Sequence, residues 1–497
     1  IGFKMRSKED LHRLIKSLSQ TEKRHFRIFS SSGSRNKNYL NLFNEIDSQG
    51  IYNELEIRKK FAGQKFLKQL TFTKYYLQKQ ILKSLLNYNS EKSIDLRLNN
   101  LVFKAQILFD KALYSDFKRT TSLGILLSKK YERFEAALKF LELEKIWIYR
   151  KLYRNEDTET IFKTEEEILK KINNLNEYYK IVSSLEKNYR ERGVVRSKED
   201  LSFLNNKENC LLLKNERSAL SERARELRLY ALQLIEDTKV NCGKILKYST
   251  ARLNLIKKNP LPFEGRGLNY YHDILFYVIL NSIRINKYEK IDSYFKFLKR
   301  NTRPTLNDRI SYFLIESAYR MQKVFISKKW AEGLALIKEI ESEFEKYQGK
   351  IEYDLEMLLY NNFSTIYLVN EKYNECLKCL NFLLNNPRLK LRPDVEFRTR
   401  IFFLITHYEL KNYDLLQHLI KSTYMYLIKR KLLHKTEKRI LTFLKKIPDI
   451  KSVNDFMENL VILKKDMLKL KNDPYERRTF SYNEYLFWID KQLNKVK

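Results

Sequence analysis

Residues 360–387 read YNNFSTIYLVNEKYNECLKCLNFLLNNP. Tyr360, Phe363 and Tyr367 recur at three- and four-residue spacing, the signature of one face of an α-helix. The polar step Glu371-Lys372 follows, Tyr373 opens a second helical pattern through Cys376, Leu380 and Leu383, and Pro387 ends it. The stretch is a helix, a short turn and another helix. Its central phrase, Glu371-Lys372-Tyr373, returns as Asn286-Lys287-Tyr288, Lys328-Lys329-Trp330 and Lys411-Asn412-Tyr413, each copy roughly 40 residues from the last. Recurrence on that scale marks one helical pair used repeatedly, because a lone pair cannot bury its apolar face and must stack on copies of itself.

The order large, large, aromatic, turn aromatic, small, large, large and terminal proline in 360–387 resembles the tetratricopeptide repeat. Ser364 stands where that family usually has glycine, and Cys376 where it has a small residue. Neighbouring copies keep the turn aromatic but place Ile291 and Leu416 at the small position, while Gly333 is small yet a poor helix former. The resemblance covers about a third of the chain, and the spacing exceeds the family's period of about 34, so helices or loops are longer here. Uncharacterised bacterial repeat proteins share this general layout, a likeness that supplies no activity. The resemblance implies an α-solenoid in which the first helices of successive repeats line a concave groove. Those helices would offer Tyr277, Asn361, Asn362, Thr365, Arg398 and Arg400 to an extended peptide, with Asn side chains pairing to its backbone and Arg400 to a carboxylate. The lysine and asparagine pattern of carboxylate-clamp adaptors is not reproduced.

Composition agrees with an all-α chain. Of 497 residues, 43% are hydrophobic, enough for buried cores, and only 11 are Gly and 7 Pro, too few for turn-rich sandwiches or barrels. No long uncharged apolar stretch is present, and Arg6, Lys8 and Glu9 interrupt any leader-like run at the start. The four cysteines, Cys210, Cys242, Cys376 and Cys379, are too scattered for a disulfide framework. A soluble cytoplasmic protein is the expectation. Lysine and arginine total 96 against 61 acids, a net charge of +35. An AT-rich genome would enrich Lys, Asn, Ile and Tyr together and so account for part of that count, but not for the shortage of acids. Such a field draws polyanions and acidic proteins without conferring specificity.

Four regions follow from the patterning. Residues 1–90 read as a small basic helical domain: a first helix capped at Ser7 with Asp10, a break at 30–34, and helices near 39–46, 52–61 and 65–86. Residues 91–267 read as degenerate helical pairs, with a turn at Leu113-Tyr114, Tyr131 opening a helix, a loop over 190–206 capped at Ser197, and a helix over 218–236. Residues 268–447 hold the clear repeats. Residues 448–497 read as a helical cap whose aromatics, Tyr482, Tyr485 and Trp488, close the end of the stack.

Catalytic signatures are absent: there is no His-Glu-x-x-His, no Gly-x-Ser-x-Gly and no phosphate-loop motif. Gly265-Arg266-Gly267 is a turn that completes no dinucleotide fingerprint. Six scattered histidines show no ligand spacing, and His407 and His418 fall on opposite helices of one repeat. Cys376-x-x-Cys379 has metal or redox spacing, but it lies inside a repeat helix with no second pair, which favours packing. No cofactor is expected.

The strongest candidates for polyanion binding are Arg58, Lys59, Lys60, Lys65, Lys68 and Lys74, around a short helix, an Ala62-Gly63 turn and a longer basic helix that together resemble a helix-turn-helix in outline. Lys429, Arg430 and Lys431 form a second basic run. The arginines at 217, 223, 225 and 228 alternate with glutamates at pairing distance. These features lead to an all-α solenoid that binds a protein or peptide without catalysis. The other class they allow is a nucleic-acid-binding or ribosome-associated regulator.

Overall fold

The computed structural model describes residues 9–31, 38–90, 93–149, 155–265, 270–302, 305–347, 349–351, 353–450, 452–476 and 484–496. Among them every regular element is helical, and no helix is long and apolar enough to cross a membrane. The chain divides into two units, Ile1–Lys170 with Leu261–Gly267, and Lys171–Pro260 with Leu268–Lys497.

In the first unit α1 (Asp10–Ser17), α2 (Gln20–Ser31), α3 (Asn38–Ser48), α4 (Glu54–Lys60) and α5 (Leu70–Asn89) enclose a core of Leu11, Phe26, Leu42, Phe43, Ile57 and Leu77. The cap expected at Ser7 and the centre of the 30–34 break lie outside the described residues. Asn53 starts α4 by accepting from the N–H groups of Leu55 and Glu56. Gly63 then turns the chain at φ +82, and Lys65–Gln69 forms a single 3-10 turn that buries Phe66. The long basic helix therefore starts at Leu70, later than the expected Lys65.

Three further helices, α6 (Ile94–Asp110), α7 (Tyr114–Lys130) and α8 (Phe134–Tyr149), pack in succession. Close approach of α7 to α8 depends on Gly124, where a Cβ would overlap the Phe140 ring. Arg133 donates to Asp95 at 2.7 Å and to the carbonyls of Pro262 and Glu264, tying residues 262–264 into this unit. The helix α9 (Asn155–Arg192) begins here, with Glu165 bound by Lys145 at 2.6 Å.

The second unit takes the rest of α9, then α10 (Lys198–Glu208), α11 (Leu211–Lys214), α12 (Glu222–Thr238), α13 (Cys242–Lys258), α14 (Tyr270–Arg284) and α15 (Ile291–Asn301). After these come α16 (Leu306–Ser327), α17 (Trp330–Glu345), α18 (Tyr353–Val369), α19 (Tyr373–Leu384), α20 (Pro393–Glu409), α21 (Tyr413–Lys429), α22 (Lys435–Lys446), α23 (Val453–Lys471) and α24 (Glu484–Val496). Each helix from α16 to α24 packs on the next, and α14, α16, α18 and α20 each also meet the following member of the alternate series that runs to α22.

One turn geometry recurs in both units. Ala112, Glu132, Val240, Asn286, Lys328, Glu371, Lys411 and Lys431 are left-handed, with φ between +49 and +60. At Glu371 the N–H bonds to the Leu368 carbonyl at 3.2 Å and the next N–H, of Lys372, to that of Tyr367 at 2.9 Å. The same pair of bonds closes the turns at 112, 132, 240, 286, 411 and 431, satisfying carbonyls that a helix end leaves unpaired. The first residue of each recurring phrase is thus the left-handed one. Trp330, Tyr373 and Tyr413 begin the next helix, whereas Tyr288 precedes α15 by three residues. Tyr131 caps the end of α7 instead of opening a helix, and Phe134 opens α8.

Two expectations shift. The 190–206 loop is confined to residues 193–197, because α9 continues to Arg192 and Ser197 caps α10 by accepting from the Asp200 N–H. The final helix α24 does more than close an end. Phe487 meets Trp330 edge-on at 5.6 Å, Lys491 donates to the Val369 carbonyl at 2.8 Å, and Trp488 Nε1 donates to Glu409 at 2.7 Å. It lies across successive turns, with Phe487 on Trp330 and Lys495 Nζ donating to the Tyr373 hydroxyl at 3.4 Å; Tyr288 and Tyr413 are exposed. Tyr482 lies outside the described residues.

Candidate functional site

The expected groove residues are largely engaged with the protein itself. Thr365, on α18, is buried; its hydroxyl donates to the Asn361 carbonyl at 3.1 Å and accepts from Arg398 of α20 at 2.8 Å. Arg398 also lies over the Phe402 ring, 5.0 Å from its centroid. Asn361 is buried and Asn362 partly so. Arg400 stacks on Tyr426 at 3.6 Å and donates to Glu396 at 3.4 Å. Buried Glu396 further accepts from the Tyr426 hydroxyl and from Arg430 at 3.5 Å. The cation expected to take a peptide carboxylate already faces an internal one. Tyr277 is partly buried on α14, where burial raises its hydroxyl well above the usual value, assisted by Asp237 and Asp273.

The basic candidates separate into two groups. Arg58 pairs with Glu54 at 2.8 Å, Lys60 pairs with Glu45, and Arg430 donates to Glu396 and to the Lys390 carbonyl at 2.8 Å. Lys74 must be withdrawn from the exposed set, since it is buried 2.6 Å from Glu54 with its ammonium over the Tyr52 ring. Hydrogen bonding from Lys74 is the main reason that the Glu54 carboxyl is held at about 2. Lys59, Lys65, Lys68, Lys429 and Lys431 are exposed and form no ion pair among the described residues.

Cys376 and Cys379 are both buried. The Cys376 thiol donates to the Ser364 carbonyl at 3.3 Å, and burial pushes it up to about 12, so the thiolate needed for metal or redox chemistry is disfavoured. Burial raises Cys379 as well. No group of three or more His, Cys, Asp or Glu among the described residues is placed to hold a metal ion. His407 packs edge-on to Phe403 at 4.5 Å and meets Asn412 at 3.1 Å, and burial lowers its pKa. A cleft of about 460 Å³ opens beside Tyr288, Tyr319 and Lys323, but its other cations, Lys329 and Arg320, pair with Glu332 and Glu339.

Sequence reasoning read this helix as basic and missed the apolar row on the outer face of α5. Phe72, Tyr75, Leu82 and Leu86 are exposed there, with Lys79 and Lys83 among them. The signal was present as alternating three- and four-residue spacing, masked by the parallel stripe of Leu70, Leu77 and Ile81 that faces the core. Comparison with protein-family models, with curated proteins and with solved structures finds no match.

Proposed function

We propose that the chain is a non-catalytic scaffold that holds a protein partner, built as a solenoid of tetratricopeptide-like helical hairpins. The observation that carries the reading is the left-handed turn repeated at eight positions from Ala112 to Lys431. Each such turn sends the second helix back along the first. A stack of such units gains rigidity from nearest-neighbour contacts and presents long surfaces in place of a deep pocket. The contacts from α14 through alternate helices to α22 support this. Free cysteines at all four positions suit a reducing cytoplasm. Because Thr365, Arg398 and Arg400 are engaged internally, the partner surface is sought among exposed side chains elsewhere.

The test is affinity capture by the full chain from native extract, with a nuclease-treated arm. A defined set of proteins retained after nuclease treatment supports the reading; retention of nucleic acid alone, or of nothing, overturns it.

A second reading, nucleic-acid binding, is favoured by the exposed Lys59, Lys65 and Lys68, which form no ion pair among the described residues, beside the aromatic face of α5. It predicts binding that weakens steeply with salt. Gel shifts without binding at low salt would remove it.

A further inference from the structure

Helix α5 carries apolar residues on two faces. Leu70, Leu77 and Ile81 are buried in the core of the first unit. Phe72, Tyr75, Lys79, Leu82 and Leu86 follow one another at steps of three and four along the other face, with Phe72 65%, Leu82 46% and Leu86 58% exposed. Isolated exposed apolar side chains are ordinary. A row with this spacing is the seam of a helix pair, in which each side chain fills a hole on the facing helix.

Charge defines the missing partner. Helix α5 contains no Asp or Glu, Lys79 and Lys83 are exposed within and beside the row, and Lys65 and Lys68 are exposed just before it. We infer that this face docks an α-helix of a partner protein, apolar on one side and acidic along its flanks. The inference rests on the scaffold reading and names its partner class. Two copies of α5 set face to face would oppose lysine to lysine, whereas acidic flanks would neutralise them. Nucleic acid fits the row less well, since Leu82 and Leu86 offer no ring for stacking and α5 has no arginine to read a base edge. Helix recognition through anchors at these spacings uses Phe72, Tyr75, Leu82 and Leu86 together.

The test titrates the full chain with a labelled synthetic peptide of about three heptads, leucine at the seam positions and glutamate at the flanks. Fluorescence anisotropy reads binding, with a scrambled peptide of equal composition and an oligouridylate as comparators. The heptad peptide should bind about tenfold tighter than the scramble. Phe72→Ala with Leu82→Ala should weaken it about tenfold while leaving the melting temperature unchanged, as expected of exposed positions. Lys79→Glu with Lys83→Glu should also weaken it and flatten its salt dependence. Equal binding of the scramble, indifference to the Phe72/Leu82 pair, loss of oligouridylate binding in that pair, or self-association of the wild-type chain through this face would each overturn the inference. Failure of the peptide while extract capture still retains proteins overturns this face alone and leaves the scaffold reading standing.

Discussion

The Arg196 guanidinium holds the Glu437 carboxylate through two hydrogen bonds of 3.0 Å, joining positions 241 residues apart in the chain. Glu476 completes the cluster at 2.6 Å from Arg196 and also accepts from the Thr436 hydroxyl at 2.7 Å. All three charged side chains are buried. Removing the cation would strand two carboxylates in the interior. Arg196→Ala should therefore cost about 3–5 kcal/mol, read as a lower midpoint in denaturant.

His434 lies beside this cluster, and its pKa is lowered, first by burial and then by the Arg196 charge; Glu437, Glu476 and Asp200 act in the opposite direction. A depressed folded value means that stability is fully present above the unfolded histidine value, about 6.5, and is lost as pH falls through that region. Burial alone would raise Glu476, but Arg196 and the hydrogen bonds from Thr436 and Lys435 hold it low, so its contribution disappears only at more acidic pH. The melting temperature should drop between pH 7.5 and 5.5. His434→Gln should reduce that drop; an unchanged pH profile would contradict the assignment.

The repeated turn makes a stability prediction of unusual sign. Val240 is β-branched yet left-handed at φ +53, a conformation that costs such a residue about 1–2 kcal/mol. Val240→Gly should stabilise the chain by about 0.5–1 kcal/mol, after the added flexibility of the unfolded state is deducted. Asn286→Val, at φ +59, should destabilise by a similar amount. Thermal unfolding of both variants distinguishes this turn from an ordinary loop, where neither change would matter.

Gly124 sets the spacing of α7 on α8. An alanine there would drive its methyl into the Phe140 ring, so Gly124→Ala should cost about 1–3 kcal/mol despite its better helix propensity. Combining it with Phe140→Leu should recover part of the loss beyond additivity, which a double-mutant cycle measures.

Arg400 and Lys65 should behave oppositely. Arg400→Ala strips a stacked cation from buried Glu396, so its effect should appear in stability. Lys59→Glu, Lys65→Glu and Lys68→Glu should each change stability by less than about 0.5 kcal/mol and instead slow association with any acidic ligand.

Local rules account for what the sequence made legible. The recurring phrase located four turns because a polar residue and then an aromatic follow each left-handed position. It passed over Val240-Asn241-Cys242, which has the same bonds but no aromatic. Tyr131 and Phe134 were interchangeable by composition, and only the left-handed Glu132 between them decides which opens α8. Neutralisation of Arg400 was in principle readable, since Glu396 stands four residues before it on one helix. The loss of Lys74 to Glu54 and the Arg196–Glu437 contact were not, because both depend on tertiary placement. For α5, periodicity revealed neither which apolar stripe faces inward nor that both exist.

The most direct measurement is site-specific photocross-linking of the full chain in native extract, with the reactive residue at position 72 or 82 and, separately, at position 362. Cross-links from 72 and 82 to a protein are expected, resistant to nuclease and weakened by Lys79→Glu with Lys83→Glu. Cross-links from those positions to nucleic acid, or cross-linking to protein from position 362 with none from 72 and 82, would contradict it.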